Sequence, residues 1–318
     1  MTTTISVAPT IDASIVGLEI EPQRAMIDAR WLMAYSAAAG AHEPPYFDTI
    51  LADGPLAHPL FPVCYEWPLL LEIRARAIDA AVAPYGVHAS HRLILHRLPR
   101  AGQELASTAH VTAVVTRRSG TLVLARMVTR DVDGSLVSET DYGSLYRGVT
   151  LVGPAHDETT ARTSRDGSAV VDGGRRGDEG LEPRPDASGR GAAHAPPIET
   201  ARWTERVDVP YHLGHVYTEC ARIWNPIHTD RAVARAAGLP GPILHGTATL
   251  ALAVSRILAR DLDGDARAVR GIEARFAGMV PLPSTFTVRA GAHEPDRIAF
   301  EAVDKRGARV LAEGALRL

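Results

Sequence analysis

The chain has 318 residues, which is enough for two domains of ordinary size with substantial buried cores. Hydrophobic residues make up 46% of the sequence and charged residues 22%, and the formal net charge is -3. This composition is typical of a globular protein and lacks the basic excess of nucleic-acid-binding proteins, so we expect no nucleic-acid partner.

The N-terminal segment and the cysteines bear on cellular location. The sequence starts without a basic stretch and apolar run, and no segment reaches the roughly 18 consecutive apolar residues of a membrane span. Cys64 and Cys220 are far apart and outside any Cys-x-x-Cys motif, which argues against a disulfide framework and a zinc site. We therefore expect a protein of the reducing cytoplasm, neither exported nor membrane-spanning.

Residues 1–152 are predicted to form a first unit. The stretch from Ser107 to Arg147 contains three β-rich runs separated by Ser-Gly and Asp-Gly turns, the pattern of an antiparallel meander. Upstream of it, residues 58–68 (HPLFPVCYEWP) are interpreted as a loop followed by the start of a helix. Cys64 within this segment is predicted to be a buried apolar residue rather than a nucleophile.

Three histidines of this unit, His88, His91 and His96, are close enough in sequence to raise the question of a metal site. No carboxylate or cysteine completes a plausible ligand set around them. We interpret them as residues of a strand face and predict no bound metal.

Residues 153–200 interrupt the pattern of regular structure. The segment is crowded with Gly, Pro, Ser, Asp and Arg, lacks aromatic residues and shows no apolar period. Such a composition buries too little surface to offset the entropy of ordering the chain. It predicts a disordered linker, and the alternative of a long functional lid is less common for a loop of this length.

Residues 201–318 are predicted to form a second unit on the same plan. A segment from Gly246 to Leu262 has apolar residues at helical spacing and small residues near its start, which predicts a helix that a sheet can wrap. The residues from Ser284 to the end repeat the scheme of alternating strands and tight turns. The fold class is therefore α+β, twice.

Two landmarks indicate that the units are copies of one ancestor. Tyr35 and Tyr217 stand in similar small-residue segments 182 residues apart. Pro99 and Pro281 lie in Pro-containing turns between apolar runs, and the same offset aligns them without a gap. Self-similarity at a fixed offset is the signature of duplication.

The second unit also contains the most specific motif of the chain. Asn225-Pro226-Ile227-His228 is followed by a Pro-Ile-Leu-His-Gly segment that ends at Gly246. These residues resemble the signature of the MaoC-like (R)-specific enoyl-CoA hydratase/dehydratase family, and the two units resemble its double-hotdog members. The resemblance implies two hotdog folds, each a long helix wrapped by an antiparallel sheet. It also implies a site in the second unit, with the first unit helping to form the acyl tunnel.

The resemblance assigns catalytic roles to three residues. His228 and Asn225 match the motif, with His228 as the acid–base group. Gly246 matches the family's oxyanion donor, a backbone N–H at the start of the long helix. We assign substrate contact to the surrounding residues Tyr217, Ile223, Trp224 and His245, with Trp224 either shaping the pocket or packing in its loop.

One catalytic position departs from the family. Members carry an Asp five residues before the His, and this chain has Ile223 there, preceded by Arg222 in place of a Gly. The duplicate position in the first unit is Ala41, so the copy does not supply the acid. Either His228 works alone, or Glu219, Asp230 or His245 takes the second role, or the reaction is no longer hydration.

Three functional hypotheses follow. The first is a hydratase or dehydratase acting on an enoyl or 3-hydroxyacyl thioester of coenzyme A or an acyl carrier protein. The second keeps the thioester but changes the reaction to hydrolysis, isomerisation or conjugate addition, and the third is a non-catalytic acyl-binding subunit. We predict no cofactor. The duplication makes one chain a pseudo-dimer of hotdog units and leaves a homodimer of chains open.

Overall fold

The computed structural model describes residues 9–153, 156–157 and 197–318. The predicted linker, residues 153–200, lies outside the described residues except at its ends, so its predicted disorder stays a prediction. No helix of the described residues is both long enough and apolar enough to cross a lipid bilayer.

The described part of the N-terminal unit, together with the start of the predicted linker, contains two α-helices and eight strands. The helices are α1 (Ala29–Ala38) and α2 (Pro62–Ala77). The strands are β1 (Thr10–Asp12), β2 (Glu19–Met26), β3 (Gly86–Leu95), β4 (Glu104–Arg117), β5 (Gly120–Asp131), β6 (Leu136–Arg147), β7 (Thr150–Val152) and β8 (His156–Asp157).

The described part of the C-terminal unit contains three α-helices and five strands. The helices are α3 (Leu213–Ala221), α4 (Arg231–Ala236) and α5 (Gly246–Asp261), and 3-10 turns span Pro226–His228 and Ala266–Ala268. The strands are β9 (Trp203–Val209), β10 (Gly271–Phe276), β11 (Ser284–Glu294), β12 (Arg297–Asp304) and β13 (Arg309–Arg317).

The two units use the same strand order and share one continuous antiparallel sheet. The order is β2-β4-β5-β6-β3 in the first unit and β10-β13-β12-β11-β9 in the second, which is the same arrangement read from the shared edge outward. β3 and β10 pair antiparallel, with Gly271 opposite Ile94 and Arg275 opposite Ser90. This pairing closes the edge that each unit would otherwise expose.

One long helix packs against the sheet in each unit. In α5, buried residues occur all around the helix, including the small residues Ala248, Ala251 and Ala253 that allow the sheet to approach closely. A helix that is apolar on every side is stable only inside a protein. The predicted helix Gly246–Leu262 is therefore confirmed, with its last residue as the cap.

One of the two pairs of landmarks used to align the units, Tyr35 and Tyr217, meets at their interface. The hydroxyl oxygens of Tyr35 in α1 and Tyr217 in α3 lie 3.3 Å apart, and both side chains are fully buried. The three β-rich runs predicted in the first unit correspond to β4, β5 and β6. The β3–β10 pairing was not predicted, because no local sequence signal specifies which strand edges meet.

Candidate active site

A cavity of about 100 Å³ lies between the two units. α2 and β3 form its wall in the N-terminal unit, where the lining residues include Glu66, Trp67, Arg74, His88 and His91. The C-terminal wall includes Ile223, Asn225, His228, His245 and Gly246. The motif residues of the second unit therefore face residues of the first across a shared space.

The local sequence holds His228 in place. Pro226 begins the 3-10 turn, where a missing backbone N–H costs nothing, and the Asn225 side chain caps the turn by accepting from the Ile227 N–H at 3.4 Å. His228 Nδ1 lies 2.8 Å from the Ile243 carbonyl oxygen. Because a carbonyl only accepts, Nδ1 carries the hydrogen, and Nε2 is left with a free lone pair.

Burial keeps the His228 ring neutral. Its exposed fraction is 8%, and desolvation lowers the pKa of the imidazole to about 4, although the bond to the Ile243 carbonyl opposes this shift. At neutral pH the Nε2 lone pair is therefore available to accept a proton.

His245 supports the His228 ring from behind. The two rings stack with centroids 3.6 Å apart. His245 Nε2 lies 3.2 Å from Thr218 Oγ1 and 3.3 Å from the Ile223 carbonyl oxygen, so this nitrogen carries the hydrogen. Burial lowers the pKa of His245 well below its ordinary value, and the adjacent His228 lowers it further. The stacked pair is a pair of neutral rings.

Gly246 presents its backbone at the cavity. It is the first residue of α5, and the first N–H groups of a helix have no partner within the helix. A Cβ at this position would lie 3.1 Å from the Phe276 ring, which is tight for a side chain. Glycine thus keeps a polarised N–H accessible at the positive end of the helix dipole.

Ile223 lines the cavity on the same side as His228. Its exposed fraction is 5%, and its N–H donates to the Thr218 carbonyl at 3.1 Å. The preceding Arg222 follows α3 in the left-handed conformation, with φ of 58°. Glycine adopts this conformation most readily because it has no Cβ. The Arg222 guanidinium lies 3.8 Å from the centre of the Trp31 ring, a cation–π contact that offsets part of the backbone strain.

Two of the predicted substrate contacts are corrected. Tyr217 is fully buried behind His245, with ring centroids 5.0 Å apart, and it does not line the cavity. Trp224 is 57% exposed and points away from the cavity wall, with Nε1 3.5 Å from the Glu219 carboxylate. Tyr217 faces inward because its helix packs against α1, and Trp224 faces outward because Ile223 occupies the inward position.

The structure also separates the residues considered as substitutes for the missing acid. Glu219 and Asp230 are exposed, and neither lines the cavity. The Asp230 carboxylate instead caps α4 by accepting from the N–H groups of Ala232 and Val233. Of the substitutes proposed from the sequence, His245 alone lines the cavity with His228.

Sequence reasoning missed a carboxyl group in the opposite wall. Glu66 of α2 is 1% exposed, lines the cavity and accepts a hydrogen bond at 2.7 Å from Thr140 Oγ1. Desolvation raises the pKa of this carboxyl to about 7, and the Thr140 bond opposes the rise. The signal available in the sequence was a Glu among the apolar residues in the first half of a buried helix.

The histidines of β3 also line the cavity. A spacing of three residues normally places side chains on opposite faces of a strand. Here a register shift between His88 and Ser90 changes the direction of the side chains that follow. The His88 and His91 rings consequently lie with centroids 5.4 Å apart. Across the described ranges, no three His, Cys, Asp or Glu side chains are grouped to hold a metal ion.

The chain matches two family models and known folds. Residues 217–313 match the MaoC-like domain and residues 14–140 match the FAS1-like dehydratase domain region. A MaoC-like dehydratase from Phytophthora capsici superposes with a TM-score of 0.75 at 19% identity, covering 95% of each chain. The chain has a double-hotdog fold, and its residues 217–313 match the MaoC-like domain.

Another solved structure shares the fold, and curated sequences match parts of the chain. A Mycobacterium tuberculosis protein described as a double hotdog fold superposes with a TM-score of 0.57 at 16% identity, covering 95% of this chain and 96% of that one. Enoyl-CoA hydratase ChsH3 of the same organism is 36% identical over 116 residues, 36% of either chain. The peroxisomal enoyl-CoA hydratase 2 of Arabidopsis thaliana is 45% identical over 53 residues, 17% of either chain. The matched stretches thus span well under two thirds of these relatives.

Proposed function

We propose that this protein adds water to an enoyl thioester, or removes it from a 3-hydroxyacyl thioester, in the cavity between the units. The observation that carries the proposal is the placement of a neutral His228, with Nε2 free, in the same cavity wall as the first N–H groups of α5. The names of the hydratase relatives support the same reaction.

The reaction needs a base for water and a donor for developing negative charge. His228 Nε2 accepts a proton as the water oxygen bonds to C3, while electron density moves through C2 to the thioester oxygen. The Gly246 N–H stabilises that oxygen, and a pre-positioned donor of this kind is worth roughly 10²–10³-fold in rate. Asn225 acts by fixing the turn that carries His228, so we assign it a positioning role.

The substrate class is an acyl thioester carried by coenzyme A or by an acyl carrier protein. In this assignment the C-terminal unit, residues 201–318, supplies His228 and Gly246, and the N-terminal unit, residues 1–152, closes the acyl tunnel. Ile223 and His245 form the substrate-facing wall beside His228. The cytoplasmic location, the absence of a cofactor and the single-chain pseudo-dimer stay predictions.

The apolar Ile223 in the cavity wall favours a second group of candidate functions. Without a carboxylate beside His228, the same thioester site would carry out hydrolysis, isomerisation or conjugate addition, or would bind the acyl group without turnover. Each of these outcomes uses the cavity and differs from hydration in what happens to the double bond and to the thiol.

A panel of enoyl and 3-hydroxyacyl thioesters distinguishes the candidates. We expect the enoyl absorbance to fall on incubation with the protein, without release of free thiol, and a 3-hydroxyacyl thioester to form. Thiol release would indicate hydrolysis. Binding of a thioester with neither change would support the non-catalytic alternative.

A further inference from the structure

We propose that Glu66, from the N-terminal unit, is the second proton-transfer group of the site and takes the role left vacant at Ile223. The inference rests on the proposed function. It assigns a catalytic residue to the unit expected only to form the acyl tunnel.

The placement of Glu66 is the first argument. Its carboxyl lies in the α2 wall of the cavity, and His228 lies in the opposite wall. A substrate bound between the units would therefore have one proton-transfer group on each side. Glu219 and Asp230 lack this access because they are exposed outside the cavity.

The hydrogen bonding of Glu66 is the second argument. Oε1 accepts from Thr140 Oγ1 at 2.7 Å, which is the one hydrogen bond of this carboxyl within the described residues. No Arg, Lys or His of the described residues forms an ion pair with this carboxyl. A buried carboxyl that is neither paired nor fully bonded is costly to keep for packing alone, which favours a functional role.

The protonation states of the two groups are complementary. Burial raises the pKa of Glu66 to about 7 and lowers that of His228 to about 4. Between these values Glu66 is protonated and His228 is neutral. When their environments move the pKa values of two titratable groups apart in this way, one group serves as the proton donor and the other as the proton acceptor.

The combined step balances without any further reactant. A water O–H bond breaks and its proton goes to His228 Nε2, while the water oxygen forms the bond to C3. The π electrons of the C2–C3 bond move through C2, and C2 takes the proton of the Glu66 carboxyl. Proton transfer from the imidazolium to the carboxylate, directly or through water, restores both groups.

Other titratable groups also face this region of the cavity. The lining groups are Arg74 on α2, Tyr142 on β6, His88 and His91 on β3, and His228 and His245 in the opposite wall. Cys64 and Tyr65 on α2 do not line the cavity but interact electrostatically with Glu66. Burial raises the pKa of Cys64, Tyr65 and Tyr142 and lowers that of the four histidines. Burial raises the pKa of the Glu66 carboxyl itself to about 7.

The test is the pH dependence of kcat/KM for crotonyl-CoA hydration by the full chain and its Glu66→Gln variant. Gln keeps an oxygen that accepts from Thr140 but has no acidic proton. We expect the wild-type value to fall as pH rises through about 7. In Glu66→Gln we expect kcat to fall by roughly 10²-fold, with KM little changed. The fall of kcat/KM above about pH 7, which is the alkaline limb of the profile, should be absent.

Two further variants separate catalysis from structure. Glu72→Gln makes the same change on the same helix at a half-exposed residue paired with Arg76, and we expect wild-type kinetics. Thr140→Val removes the bond that lowers the pKa of Glu66, so the limb should move to higher pH. A residue that only packs would not produce this shift.

The outcomes distinguish this inference from the proposed function. Hydration by wild type with unchanged kcat and an unchanged limb in Glu66→Gln would overturn the role of Glu66 and leave the hydratase proposal standing. No hydration by wild type would contradict the proposed function and, with it, this inference. If Glu66→Gln does not fold, an unmoved limb in Thr140→Val would overturn the role of Glu66.

Discussion

The long helices of the two units begin with different residues, and only one of these residues offers a backbone N–H. α5 begins at Gly246, which has a backbone N–H and no side chain, after His245 as the cap. α2 begins at Pro62, which has no backbone N–H, after Phe61 as the cap. In the proposed mechanism, the start of α5 therefore stabilises negative charge through its first N–H, and the start of α2 has no N–H at its first residue to do so.

The next turn of each helix shows the opposite distribution. Leu250 in α5 is fully buried among apolar residues, whereas Glu66, at the same position counted from the start of α2, places a carboxyl at the cavity. In the proposed mechanism, the oxyanion donor and the base therefore belong to one unit and the acid belongs to the other. Neither unit alone contains all three groups.

The histidines of the two units provide the largest contrast. We expect His228→Ala to lower hydration by at least ~10²-fold with thermal stability nearly intact, because a general base acts mainly on the transition state. His58 of the first unit is fully buried, with Nε2 3.1 Å from Ser255 Oγ. His58→Ala should reduce stability without a matching loss in rate. Initial rates and thermal unfolding of both variants check the pair, and an active His228→Ala protein would contradict the assignment.

Exchanging the helix starts tests the backbone donor. Gly246→Pro installs the residue of α2, removes the N–H, and should lower hydration by roughly 10²–10³-fold. Gly246→Ala keeps the N–H, and its Cβ must be accommodated 3.1 Å from the Phe276 ring, so a smaller loss is expected. Comparing the initial hydration rates of the two folded variants separates the effect of losing the N–H from the effect of adding a side chain. Equal losses would mean that space, rather than the N–H, is what the glycine supplies.

The buried carboxyl of the first unit should also appear in the stability of the protein. Because folding raises the pKa of Glu66 from 4.5 to about 7, its contribution is fully present below the lower value and is lost as pH rises through the higher one. Relative to Glu66→Gln, wild type should lose on the order of 3 kcal/mol of unfolding free energy across this range. Denaturant unfolding of both proteins at several pH values measures the difference, and parallel curves would refute it.

Restoring the family's acid in the second unit gives the smallest predicted effect. Ile223→Asp places a carboxyl beside His228, where partial desolvation should raise its pKa toward a value suited to proton donation. We expect a gain in crotonyl thioester hydration of about 10-fold, below the ~10²–10⁴-fold of a fully positioned group, with some loss of stability. Ile223→Asn is the uncharged control. Equal rates for the two variants would show that position 223 does not meet the reacting atoms.

Local patterns predicted the parts of this protein that local interactions determine. The Asn-Pro-Ile-His turn, the helix from Gly246 and the three strands β4 to β6 all follow from residues that lie close together in sequence. Glu66 escaped prediction because its access to the cavity depends on the long-range pairing of β3 with β10. Trp224 was misplaced because a loop sequence does not specify which of two adjacent apolar residues turns inward.

The most direct test of the shared cavity is a crystal structure of the protein with a bound saturated acyl thioester, which the site binds but cannot hydrate. We predict the thioester oxygen at about 3 Å from the Gly246 nitrogen, the distance of a hydrogen bond to an oxyanion position. C2 and C3 should lie between His228 Nε2 and the Glu66 carboxyl. An acyl group bound outside the cavity, or a thioester oxygen directed away from the start of α5, would contradict the account.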